Sequence, residues 1–156
     1  MNLEDVQEMN RALMIRLLRR NKVWSRSELA HASGLKQATI GNIVNDFIHW
    51  GLVIETGIME GKKGRRSIGI SLNNEEFRVL GVRVERHYIR IGLFDLLGNA
   101  EQVEEQSLGS HLDGDAVVAM IVAGVKNMVA KHKRYGVLSV GVAIPGPYVR
   151  SEGQMG

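Results

Sequence analysis

At the start of the chain, apolar residues recur at steps of three and four. Val6, Met9, Leu13 and Leu17, with Leu18 beside it, form one stripe, the repeat of an amphipathic helix. The pattern predicts a first helix over residues 3–20. Arg16, Arg19 and Arg20 stand at its C-terminal end, where the helix dipole favours cations. Asn21-Lys22 breaks the repeat. Ser25-Arg26-Ser27-Glu28 then reads as a capping box, Ser25 capping and Glu28 reaching back. It opens a short helix over 26–33 that buries Leu29 and Ala30 and is stopped by Gly34. After a turn of four residues, Ile40, Ile43, Val44, Phe47 and Ile48 are again helically spaced, and Gly51 closes that third helix. Gly41 inside it costs about 1 kcal/mol against alanine, which close packing or a backbone approach would explain.

The period then changes to that of strands. Leu52 to Thr56 and Ser67 to Leu72 are β-rich runs on either side of Gly61-Lys62-Lys63-Gly64-Arg65-Arg66. Phe77 to Glu85 and Tyr88 to Asp95 alternate and are expected to pair as a hairpin through Arg86-His87. Leu97-Gly98-Asn99 turns the chain into a more polar third strand, Ala100 to Leu108, expected at a sheet edge. Asp113 can cap a long helix over 114–135, with Val117, Val118, Ile121, Val125, Met128 and Val129 on one broad face and Gly136 at its end. Val137 to Ile144 is nearly continuous in apolar residues, as in a strand covered on both faces of an α/β sheet. It runs into Pro145-Gly146-Pro147, at the strand end where α/β folds place ligand loops. A plain strand terminator fits that turn equally well. A β-β-β-α-β order normally continues, so the chain reads as the front part of a larger protein.

Composition narrows the classes. The 156 residues are 44% hydrophobic and 24% charged, the make-up of a globular chain. With no cysteine there is no disulfide framework, thiolate metal site or cysteine nucleophile. No apolar run reaches the roughly 18 residues of a membrane span, and Met1 to Glu8 is acidic, unlike a secretory leader, so the expected compartment is the cytoplasm. The five histidines show no ligand spacing, so neither a metal nor any cofactor is expected in this chain. Trp24 and Trp50 read as packing anchors.

Charge is distributed unevenly. Residues 9–72 carry eleven basic side chains against four acidic, a net +7, whereas residues 73–156 carry nine against ten. Such a block is either a polyanion-binding module or a solvated basic surface. Two short helices joined by a glycine-containing turn match the helix-turn-helix arrangement, whose second helix enters the major groove by its N-terminal part. Lys36, Gln37, Thr39 and Asn42 occupy that part here. Glutamine and asparagine can bond adenine bidentately, and lysine suits guanine or phosphate. The same face would also suit the polar exterior of a three-helix cluster. The strands that follow favour DNA: Lys62, Lys63, Arg65 and Arg66 would form a basic wing for phosphates or a narrow minor groove. A nucleotide P-loop is excluded, because the glycine spacing is wrong and a strand follows.

Several stretches resemble a known family. They are Ser25-Arg26-Ser27-Glu28-Leu29-Ala30, Gly34-Leu35-Lys36-Gln37-Ala38-Thr39-Ile40, Trp50-Gly51-Leu52-Val53 and Gly64-Arg65-Arg66. Leu80-Gly81-Val82, Asp95-Leu96-Leu97-Gly98 and Gly141-Val142-Ala143-Ile144-Pro145-Gly146-Pro147 extend the match over essentially the whole chain. Together they resemble the N-terminal portion of ROK-family transcriptional regulators, the group of the bacterial xylose and N-acetylglucosamine repressors and related sugar kinases. The resemblance implies an α+β winged helix-turn-helix DNA-binding domain over 1–72. The beginning of an α/β actin-like (ribonuclease H-like) ATPase domain, incomplete and sugar-sensing, would follow over 77–156. It implies a homodimer or higher homo-oligomer on double-stranded operator DNA, repressing carbohydrate-utilisation genes in response to a sugar or sugar phosphate. Pro145, Gly146 and Pro147 become candidate ligand-loop residues.

Three departures qualify the resemblance. The family's kinases carry Asp-Gly-Gly-Thr after the first strand, where this chain has Arg83-Val84-Glu85-Arg86, so kinase activity is not expected. The family's sugar-contacting residues and His/Cys zinc motif lie beyond the Pro-Gly-Pro loop. The usual proline after Gly-Arg-Arg is Ser67 here. A ROK sugar kinase with a regulatory N-terminal domain, and a winged helix used for protein docking, are the alternative functions.

Overall fold

The computed structural model describes residues 2–60, 66–109 and 113–144, together with the backbone of 148–149 and 154–155. The chain divides into two units, Met1–Asn74 and Glu75–Gly156.

The first unit opens with α1 (Leu3–Leu18), capped by a reciprocal pair of hydrogen bonds between Asn2 and Asp5. It ends two residues before the expected boundary, with Arg19 as its C-cap. Burial is confined to its second half, at Met14, Leu17 and Leu18, and Met9 of the expected stripe is 59% exposed. A short strand that periodicity did not reveal, β1 (Trp24–Ser25), leads directly into α2 (Arg26–Ser33). The capping box is present: the Glu28 amide donates to Ser25 Oγ at 3.2 Å, and the Ser25 amide donates to Glu28 Oε2 at 2.8 Å. Gly34 ends α2 at φ 72°, a left-handed conformation in which a side chain is strained. The turn is shorter than expected, since α3 (Gln37–His49) follows at once with Lys36 as its N-cap.

Ile40, Ile43, Val44 and Phe47 of α3 are buried together with Leu29 of α2. β2 (Val53–Glu60) and β3 (Arg66–Leu72) form an antiparallel hairpin, and the sheet order is β1-β3-β2. β1 joins through Trp24 opposite Ile70, which explains why a two-residue strand escapes a search for alternation. Trp50 is no buried anchor: it is 51% exposed, with Arg11 stacked 5.2 Å over its ring.

The second unit is a four-stranded sheet in the order β6-β5-β4-β7, from β4 (Phe77–Val84), β5 (Tyr88–Asp95), β6 (Ala100–Ser107) and β7 (Gly136–Ala143). β4, β5 and β6 are antiparallel neighbours, β6 lies at an edge as expected, and β7 joins β4 in parallel. One face carries Leu80, Val82, Ile89, Ile91 and Leu93, packed beneath Met128 of α4 (Gly114–Lys131). Asp113 caps that helix, accepting from the Ala116 amide at 2.8 Å.

α4 stops four residues short of its expected end. His132 leaves helical geometry, and its Nε2 sits 2.7 Å from Gln102 Oε1 on β6. Gly136 therefore opens β7 rather than closing the helix, its amide donating to the Glu76 carbonyl at 2.9 Å. At this same end of β4, Arg78 is buried, donating to Glu101 Oε1 at 2.6 Å and lying 3.7 Å over the Tyr135 ring. The expectation of a β7 covered on both faces is corrected. Leu138, Val140 and Val142 are each about half exposed, whereas α4 packs over β5. A two-stranded pairing of β8 (Tyr148–Val149) with β9 (Gln154–Met155) follows.

Candidate nucleic-acid interface

The buried positions of α3 recur at 40, 43, 44 and 47, so the helix turns its opposite side outward. That outer side carries Ala38, Asn42 and Asn45, all exposed, with Gly41 half-buried between them. Lys36 and Gln37 are exposed at the N-terminal end. Thr39 is half-buried and stands on the flank rather than at the centre of this face. Of the four expected groove-reading positions, Asn42 is the one at the centre, and Lys36 and Gln37 frame the entry. The first turn of α3 holds no acidic residue. The α2–α3 turn is braced by the Leu35 amide donating to Ser33 Oγ at 3.2 Å.

Two carboxylates flank this face, and both are paired. Asp46 Oδ2 accepts from Arg11 Nη2 of α1 at 2.8 Å. Glu55 Oε1, on β2, accepts from Arg26 Nη2 at 3.1 Å, and the same nitrogen lies 3.5 Å from Asn45 Oδ1. One guanidinium thus touches the start of the β2–β3 hairpin and the outer side of α3. Pairing the acids matters because an unpaired carboxylate near a phosphate chain would repel it. Asn45, Ala38 and Arg26 were not singled out from the sequence. Asn45 and Ala38 could have been found by carrying the helical period from Asn42 one turn forward and one turn back.

The β2–β3 hairpin holds its register from Val53 opposite Leu72 to Glu60 opposite Arg66, interrupted by a bulge between Glu55 and Ile58. Gly57 in that bulge has φ 94°. Arg66 opens β3 with its side chain exposed. Lys62, Lys63 and Arg65, the other three cations expected in a wing, lie outside the described residues, as do Pro145, Gly146 and Pro147 of the ligand-loop candidate.

In the second unit three glycines align across the sheet face that turns away from α4. Gly81 is the register partner of Gly92 on β5 and of Gly141 on β7. The Phe94 ring lies on the first two of them, and a trough of about 560 Å³ is bordered by Phe94, Val103 and Ala143. At the hairpin end Arg83 is ion-paired with Glu85. Arg90 donates to Glu105 at 2.8 Å, which raises its pKa further.

No protein-family model matches the chain. The xylose repressor of Caldicellulosiruptor bescii is 24% identical over 150 residues, covering 95% of this chain and 38% of the repressor. The DNA-binding transcriptional dual regulator NagC of Escherichia coli is 35% identical over 95 residues, covering 61% of this chain and 23% of NagC. A crystal structure of a ROK family transcriptional regulator, a homolog of the E. coli MLC protein, superimposes with a TM-score of 0.70 at 25% identity. It covers 90% of this chain and 36% of that one. The resemblance is to the N-terminal portion of a ROK-family transcriptional regulator. The chain spans little more than a third of the length of the xylose repressor it matches. Helices with mixed sheets, an α+β arrangement, are shared with the ROK structure.

Proposed function

We propose that the chain is the DNA-binding and effector-coupling front portion of a ROK-type repressor of carbohydrate genes. The observation that carries this reading is the outward side of α3. It is polar, its flanking acids Asp46 and Glu55 are neutralised by Arg11 and Arg26, and it stands on a capped helix-turn-helix. The ROK resemblance and the names of the relatives support it.

In this reading residues 1–72 are a winged helix-turn-helix. Lys36, Gln37, Thr39 and Asn42 meet the major groove, Thr39 from the flank, and Lys62, Lys63, Arg65 and Arg66 grip phosphates or the minor groove. Residues 77–156 are the incomplete beginning of an actin-like sugar-sensing domain, with Pro145, Gly146 and Pro147 as its ligand loop. The protein binds operator DNA as a homodimer or higher homo-oligomer and answers to a sugar or sugar phosphate. Kinase chemistry has no part in this reading, since Arg83 and Glu85 are side chains paired with each other where close glycine backbone would be needed for phosphates.

Selection of bound sequences from a random duplex library is the direct test. A preferred site should emerge, with affinity that falls as salt rises. Gln37→Ala should relax preference at particular base pairs, while Arg65→Ala should weaken every sequence and flatten the salt dependence. Binding indifferent to both substitutions rejects the assignment.

A further inference from the structure

Resting on that reading of α3 as the groove-facing helix, we propose that Asn45 is a base-reading residue. Arg26 is its positioning residue, and Glu55 keeps Arg26 from being drawn to phosphate. Asn45 is exposed on the same side of α3 as Asn42 and three residues further on. Three residues advance about 4.5 Å along a helix, against about 3.4 Å per base step, so the two amides address neighbouring base pairs.

An asparagine reads adenine by donating from Nδ2 to N7 and accepting at Oδ1 from N6. A free asparagine on a helix surface must first give up its side-chain rotation. Here the Arg26 guanidinium, 3.5 Å from Asn45 Oδ1, biases that oxygen toward α2 and leaves Nδ2 directed outward. The oxygen keeps a second lone pair for the base. The pairing also settles what Arg26 does. An unpaired arginine at the first residue of a helix beside the groove would grip phosphate without regard to sequence. Glu55 Oε1, 3.1 Å from Arg26 Nη2, competes with that use and holds the guanidinium at the amide instead. The trio spans α2, α3 and β2, so the start of the wing is tied to the same residue that sets the amide.

The experiment is library selection followed by competition binding on the selected duplex, with the wild-type protein and the variants Asn45→Ala and Glu55→Gln. Asn45→Ala should lose roughly five- to 150-fold of discrimination at one base pair next to the Asn42 position, with the salt slope unchanged. Glu55→Gln should release Arg26. Binding to unrelated sequences should then strengthen, the salt slope should steepen by about one unit, and preference at the Asn45 position should fall. Both residues are part-exposed, so folding is checked by circular dichroism and is expected to be kept. If the wild type selects no sequence, the DNA-binding reading itself fails. If it selects one and Asn45→Ala reproduces that profile unchanged, Asn45 is not a reader. If Glu55→Gln leaves the salt slope unchanged, the restraint on Arg26 is absent.

Discussion

Arg11 and Asp46 join the first and third helices, Nη2 to Oδ2 at 2.8 Å, while the same guanidinium covers the face of Trp50 at 5.2 Å. The two side chains are 37% and 44% exposed, so the ion pair is screened and its worth is small. Arg11→Ala should therefore lower stability by at most about 2 kcal/mol, the cation–π contact included. Chemical denaturation measures that loss, and a change in tryptophan emission should accompany it because Trp50 loses its cover. A loss well above that size would mean that Arg11 supports packing beyond this pair.

Ser25 is buried, and its hydroxyl oxygen takes the Glu28 amide at the start of α2. Ser25→Ala removes the cap and leaves that amide without its acceptor. A cost of about 1 kcal/mol is expected, read as a lower urea midpoint with the slope unchanged. DNA affinity should fall with it only as far as folding does.

Gly124 of α4 packs directly on the strand beneath, and a Cβ there would meet Ile91 Cδ1. Ile91 is buried in the core of the second unit, so making room for a Cβ there shifts packed neighbours. Gly124→Val should destabilise that unit by about 1–3 kcal/mol, the usual range for overpacking. Because α4 belongs to the second unit, a two-stage thermal transition should show only the second-unit step lowered.

Acid should act mainly on the second unit. The hydrogen bond from Arg78 holds the Glu101 carboxyl below its ordinary value, and that from Lys131 does the same for Glu104. A carboxyl with a folded pKa below the unfolded one stabilises fully above the unfolded value, about 4.5, and loses that contribution as pH falls through the folded one. Stability should thus be flat from neutral pH down to about 5 and drop below it. Glu101→Gln should lower stability at pH 7 and shrink the drop on acidification. Urea titrations at pH 7, 5 and 3 compare the two proteins.

Local chemistry made much of the first unit readable. Ser25 and Glu28 stand three residues apart, so their capping box can be seen in one line of sequence, and Gly34 marks its helix end for an equally local reason. The helical spacing of Ile40, Ile43, Val44 and Phe47 likewise reports which side of α3 is buried. The same reasoning failed where a distant partner decides. The expected helix over 114–135 ends at Lys131 because His132 is engaged by Gln102 across the sheet, thirty positions earlier in the chain. Trp24–Ser25 is a strand only because Ile70 and Gly69 lie opposite. Trp50, which reads as a packing anchor, is instead half exposed, its ring against Phe47 of α3 and Arg11 of α1.

The candidate interface shows the same division. Asn42 could be picked from its place in the helix-turn-helix, and the helical period of the buried residues already sets Thr39 to one flank of that face. Arg26 lies nineteen positions from Asn45 and twenty-nine from Glu55, so no spacing rule connects them. The sequence by itself determined that four helices form, the caps at Ser25, Gly34 and Asp113, the basic block and the ROK resemblance, because these depend on neighbours within a turn or on charge counted along the chain. Only the tertiary structure decided which carboxylates are neutralised, that Arg26 meets Asn45, and that Gly81, Gly92 and Gly141 line up across three strands. Ion pairs and strand register are long-range relations, formed when packing of the cores brings distant residues within a few ångströms.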